Sequence, residues 1–168
     1  MADVKTLYNQ DFVAWSEQQA GALRAAARAG SNLDLDWGNL AEEVESLGIS
    51  QRSELKSQIR RIIEHLLKLE HSRAVDPRWG WVGSITDARN EIERVIEDSP
   101  SLKSEVAACI VRETKRGARK AIKALEEYGE VKPDLVSTIH AMTYTEAQIL
   151  GDWFPPEPGE PAPAGEKP

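Results

Sequence analysis

The sequence predicts an all-α fold, an antiparallel helical bundle of four to five main helices with short terminal helices. Three observations carry that expectation. Apolar residues recur three and four positions apart along most of the chain, the period of an amphipathic helix. Capping residues, glycine and proline interrupt the pattern at helix-length intervals. No alternating apolar–polar run bounded by turn residues marks a strand. With 168 residues, 40% hydrophobic and 29% charged, the chain suits one domain with one core, assigned to residues 1–154. Residues 155–168 hold six of the nine prolines and no other apolar residue larger than alanine, so this tail is expected to be disordered.

Taken in order, residues 1–8 lack periodicity and are expected to lie extended. From Asn9 to Ala29, Phe12, Trp15, Gln19, Ala22, Leu23 and Ala26 keep helical spacing with only Gln19 polar, and Gly30 ends the segment. Asp36 to Gly48 then reads as a short helix. Asp36 suits the N-cap, Trp37, Leu40, Ala41, Val44 and Leu47 form one stripe, and Gly48 suits the left-handed closing residue. Ser50 is expected to cap a longer helix to about Ser72. There Leu55, Ile59, Ile62, Ile63, Leu66, Leu67 and Leu69 point inward, and Arg60, Arg61, Glu64, Lys68 and His71 point to solvent. Glu70 falls inside the apolar arc.

Val75-Asp76-Pro77-Arg78 breaks the pattern. Trp79 to about Glu97 follows, with Trp81, Ile85, Ala88, Ile92, Val95 and Ile96 inward and Arg89 beside that stripe. Ser99-Pro100 signals the next start, and a helix to about Tyr128 buries Leu102, Val106, Cys109, Ile110, Ala121 and Leu125. Gly117 on the same side leaves room for a neighbour, and Gly129 stops the helix. A short helix from Asp134 to Met142 comes next. Thr145-Glu146-Ala147-Gln148 has capping-box form and opens a last turn or two through Leu150.

Several of these stretches together resemble the bacterial domain-of-unknown-function family 29. The pieces are Leu7-Tyr8-x-x-Asp11-Phe12-x-x-Trp15 and Asp36-Trp37-x-Asn39-Leu40-Ala41-Glu42-Glu43-Val44-Glu45-x-Leu47-Gly48. Then come His65-Leu66-Leu67-Lys68, Arg89-x-Glu91-Ile92, Ser99-Pro100-Ser101-Leu102 and Tyr144-Thr145-x-x-Gln148-Ile149-Leu150. The resemblance spans roughly residues 7–154. It implies an almost entirely helical fold and no activity. One departure is Leu69, where the family usually shows a tryptophan or similar ring.

Charged residues supply the candidate chemistry. A di-iron helical site needs Glu-x-x-His on one face, and the residues three before the histidines are Ile62, Lys68 and Ser137. Neither a His-x-x-x-His pair nor a Cys-x-x-Cys occurs, so no metal and no cofactor is expected. Glu43, Glu45, His65 and Arg89 are the weak catalytic candidates, as carboxylates, base and cation of a hydrolytic or metal-dependent cluster. Arg89, Glu43, Glu70 and Glu113 are expected to form a buried charge network. A guanidinium in a core is tolerable only when paired, so Arg89 should bond one of Glu43, Glu45, Glu70 or Glu113. Arg112, Lys115, Arg116, Arg119, Lys120 and Lys123 form a basic ridge suited to an acidic partner.

The favoured functional reading is a cytoplasmic protein-interaction module, binding an unidentified protein partner or self-associating through tryptophan-bearing surfaces. An enzyme using the Glu/His/Arg cluster is the first alternative, and a nucleic-acid-linked regulator using the ridge at residues 112–123 the second. A net charge of −7 and the lack of interleaved aromatics disfavour nucleic acid. No apolar run has bilayer-spanning length, so no membrane partner is expected. A single cysteine, Cys109, and an N-terminus without a signal-peptide pattern point to the cytoplasm. An exposed patch around Trp79 and Trp81 would favour the module. A pocket joining Glu43, His65 and Arg89 would favour the enzyme.

Overall fold

The computed structural model describes residues 4–158. Its helices are α1 (Val4–Gln10), α2 (Phe12–Arg28), α3 (Trp37–His71), α4 (Arg78–Asp98), α5 (Val106–Glu127), α6 (Pro133–Ala141) and α7 (Glu146–Leu150), with a 3-10 helix at Pro100–Glu105 before α5. No strand occurs among the described residues, and the all-α expectation holds. The chain divides into two compact units. One takes the residues up to Leu55 with Glu93–Glu105, the other Lys56–Ile92 with the residues from Val106 on. Helices α3 and α4 therefore contribute residues to both.

The first unit is organised by exchanged caps. Asp11 separates α1 from α2 in an extended conformation, and its Oδ1 accepts the Ala14 N–H at 2.9 Å. The same carboxylate accepts the Ser101 N–H at 2.7 Å and the Ser101 hydroxyl at 3.0 Å. In return the buried Ser99 Oγ accepts the Val13 N–H at 3.2 Å. Each junction thus satisfies donors that a helix start leaves orphaned, at the other junction. Ser99 was expected to cap its own helix, and instead it serves α2. Residues 1–8 were expected to be extended, yet Val4–Gln10 is helical. Its seven residues are too few to display a period, and Asp11 supplies the stop.

Helix α2 lies antiparallel to the start of α3. Glu17 meets Arg52 at 2.7 Å and Arg24 meets Glu45 at 2.7 Å, and Ser16 lies against Gly48. The short helix expected to close at Gly48 is not closed. Helix α3 runs unbroken through Gly48 for 35 residues, and a Cβ there would collide with Ser16 Oγ. The glycine answers a packing demand and not a conformational one. Ser50, expected as a cap, lies within the helix and donates its hydroxyl to the Ser46 carbonyl at 2.9 Å. The expected stripe also splits: Ala41 is fully buried, while Leu40 and Leu47 stay exposed.

The second unit buries Ile59, Ile62, Ile63, Leu66, Leu67 and Leu69 of α3 with Trp81, Ile85, Ala88 and Ile92 of α4. Helix α5 adds Val106, Cys109, Ile110, Ala121 and Leu125. Each large aliphatic side chain so covered is worth about 1.5–3 kcal/mol. At Gly117 helix α5 approaches α3 closely, since a Cβ there would lie 2.7 Å from Ile63 Cγ2. Helices α2 and α5 end as the glycines predict. Gly30 and Gly129 take φ of 70° and 69°, and the Ser31 and Glu130 N–H groups reach back to the Ala26 and Leu125 carbonyls. The capping box at Thr145 and Gln148 is formed as expected. Beyond α7, Pro155 is buried. The disorder expected for the tail falls, from residue 159 on, outside the described residues.

Candidate functional site

Titratable groups gather at the end of α3. Glu64, expected at the surface, holds Lys68 at 2.6 Å, and both are largely buried. Burial works to raise the Glu64 carboxyl, and the charges of Lys68, His65 and Lys120 outweigh it and leave it below the usual range. His65 is pushed down to about 4, first by burial and next by Lys68. Its Nδ1 is buried with no hydrogen-bond partner among the described residues.

One turn on, Glu70 Oε2 accepts the Tyr144 hydroxyl at 3.3 Å and lies 3.8 Å from His71 Nε2. Burial raises the Glu70 carboxyl to about 7, and it lowers His71. His71 was expected to face solvent. It is half-buried, with Nε2 3.0 Å from Met142 Sδ. Ser72 closes the helix by donating to Glu130 Oε2 at 2.6 Å, and Glu130 Oε1 accepts the Arg73 N–H at 2.9 Å. A cavity of about 340 Å³ opens here, lined by His71, Arg73, Gly129, Glu130, Lys132 and Leu135. Glu130 carries no signal in the sequence. Tyr144 was legible only as the residue before a capping box.

The expected charge network needs correcting at its centre. Arg89 donates to three carbonyls, Gln148 at 2.9 Å, Ile149 at 3.0 Å and Trp153 at 2.7 Å, and its guanidinium lies 4.8 Å from the Phe154 ring centroid. No glutamate among the described residues is its partner. It caps the last turn of α7, where carbonyls lack intrahelical donors. Burial lowers its pKa, opposed by Asp152. Glu113 is buried as expected, but with Arg116 at 3.1 Å and Arg60 at 3.7 Å. Glu43 is exposed, and Glu45 is taken by Arg24. Of the catalytic candidates, Glu43 and Glu45 belong to the first unit, and His65 and Arg89 to the second.

The basic ridge on α5 is exposed throughout. Arg116 pairs with Glu113, and Lys120 lies 3.7 Å from Glu64. Arg112, Lys115, Arg119 and Lys123 carry no ion pair among the described residues. Their spacing of three, four and four keeps them on one face for about 16 Å. Trp79, at the start of α4, is 84% exposed and Val75 just before it 74%. Trp81 turns inward and meets the half-exposed Tyr128 at 6.2 Å between ring centroids.

These features define an all-helical chain with polar clusters at helix ends. No group of three or more His, Cys, Asp or Glu side chains among the described residues is placed to hold a metal ion, and no described helix is long and apolar enough to cross a membrane. The chain belongs to the family described as domain of unknown function DUF29, whose model matches residues 7–154. It is similar to the crystal structure of an alpha-helical protein of unknown function from Rhodospirillum rubrum ATCC 11170. The two share 24% identity at a TM-score of 0.70, over 88% of this chain and 91% of the other. That likeness shows the fold alone. No curated protein matches the chain.

Proposed function

We propose that the protein is an interaction module that docks a protein partner through the surface around Trp79. The observation that supports this most is the exposure of Trp79, 84%, four residues after the exposed Val75. An indole offers about 150–250 Å² of contact area, so covering it contributes a few kcal/mol. Its two torsions cost little to order, and tryptophan is the commonest kind of energetic anchor in interfaces. The unpaired cations Arg112, Lys115, Arg119 and Lys123 favour an acidic partner surface. One cysteine in the sequence leaves no internal disulfide to form, which supports a cytoplasmic location.

The test is recovery of tagged wild type and Trp79→Ala from the native cell, with mass spectrometry and sedimentation of each. A stoichiometric protein should accompany the wild type and fall at least ~tenfold with Trp79→Ala. Circular dichroism should not change, because the side chain lies outside the core. Equal recovery with both proteins would remove Trp79 from the interface. A monomer carrying a small molecule and no protein would replace the module with the enzyme reading.

A further inference from the structure

The tyrosine–phenylalanine–tryptophan cluster near the N-terminus builds a cleft that the interaction reading does not use. Tyr8 meets Phe12 edge-on, with centroids 5.6 Å apart and planes at 75°, and meets Trp15 at 4.8 Å and 86°. Phe12 and Trp15 stack at 5.6 Å, which braces the Phe12 ring on one face. Tyr8 and Phe12 therefore stand as two nearly perpendicular walls. Both line a cleft of about 360 Å³ whose remaining lining is Asn9, Gln51 and Asp98.

The polar atoms there are available. The Asp98 carboxylate and the Asn9 and Gln51 carboxamides have no side-chain hydrogen bond or ion pair among the described residues. Asp98 is exposed and is the last residue of α4, so its charge adds to the negative end of that helix. The positive end nearby, the start of α2, is occupied: its Val13 and Ala14 N–H groups are taken by Ser99 and Asp11. The one charge lining the cleft is therefore negative, which disfavours a phosphate or carboxylate ligand. A bare divalent ion needs six or more oxygens at short range and gains little from ring faces. Two aromatic faces with one carboxylate suit a larger, softly charged cation.

We propose that this cleft binds an organic ammonium cation, held against the faces of Tyr8 and Phe12 and paired with the Asp98 carboxylate. Gln51 and Asn9 would accept N–H groups the rings leave unsatisfied. No residue is shared with the Trp79 surface, so either proposal can fail without the other. The same chemistry could come from a free small amine or from a lysine side chain of another protein.

The experiment is a titration of the full chain, followed by amide chemical shifts and Trp15 fluorescence, with n-butylammonium, with doubly capped lysine and with neutral n-butanol. Both cations or butylammonium alone should give saturable shifts at residues 8, 12, 51 and 98, and butanol none. Saturation by butylammonium alone indicates a free amine, and saturation by both indicates a presented lysine. Asp98→Asn should weaken binding about threefold, as loss of a charge partner at an exposed site does. Tyr8→Leu should weaken it as well. Equal response to butanol, unchanged affinity in Asp98→Asn, or no saturable shift with either cation overturns the proposal. Should Tyr8→Leu disturb α1, Asp98→Asn decides alone, since that exposed side chain bears no packing.

Discussion

Arg89 illustrates what a residue contributes when its partners are backbone atoms. Its three N–H···O=C bonds join α4 to the end of α7 and to Trp153. Hydrogen bonds to charged groups are worth about 1.5–3 kcal/mol each, and a truncated donor leaves its acceptors desolvated. Arg89→Met should therefore destabilise the protein by roughly 3–5 kcal/mol. It should also release hydrogen-exchange protection in residues 146–154 before that of α4. A thermal midpoint within a degree of wild type and unchanged exchange there would show that Arg89 is not the clamp. The sequence places this guanidinium beside an apolar stripe, where burial demands a partner. It could not name the partner, because carbonyls at a helix end carry no side-chain signature, and glutamates were the visible candidates. Glu113 is buried as its position on the stripe predicts, but its partners are Arg116 and Arg60, which the helical wheel places on solvent-facing arcs, and not Arg89.

At the scale of elements, the legible helices were those whose ends and stripes agree. Helices α2 and α5 stop at glycines with positive φ, and α7 begins at a formed capping box. In the sequence α3 looks like two helices because Asp36 and Gly48 supply a start and a stop a helix-length apart, whereas it is one. Whether a glycine ends a helix depends on what packs against it, and Ser16 is 32 positions away in sequence. Two consequences separate packing from termination. Gly48→Ala should lose about 1–3 kcal/mol through overpacking against Ser16, although alanine is the better helix former by about 1 kcal/mol. In a Ser16→Ala background the same change should become neutral or stabilising, because the colliding hydroxyl is gone. A double-mutant cycle by urea unfolding measures that coupling. Additive effects would mean that Gly48 is required for its backbone conformation, as a terminator would be. Continuity also explains the exposed Leu40 and Leu47: a helix rigid through Gly48 presents Ala41 and Gly48 to α2 and leaves the neighbouring positions outward.

At the scale of the whole molecule, opposing buried titrations set how stability follows pH. Glu70 is raised from 4.5 to about 7 by burial, so the folded state holds a proton that the unfolded state has lost between those values. Its contribution is present in full below about 4.5 and disappears as pH rises through about 7, roughly 3 kcal/mol in all. His65 runs the other way. Lowered from 6.5 to about 4 by burial, it contributes above 6.5, and that contribution is lost as pH falls through about 4, again roughly 3 kcal/mol. His71, also lowered by burial, takes the side of His65. Glu64 and Glu45, both lowered, act below 4.5, and Tyr144, raised, acts far above this range. Between about pH 4.5 and 6.5 the Glu70 and His65 terms therefore oppose each other, and wild-type stability should vary little there. Glu70→Gln removes one side, so its stability should fall steadily as pH drops from about 6.5 to 4. His65→Gln removes the other, so its stability should rise as pH drops from about 7 to 4.5. Urea unfolding of the three proteins across that range checks both slopes. Parallel curves for all three would mean that neither side chain changes its proton affinity on folding, and that the end of α3 is wetter than its burial indicates.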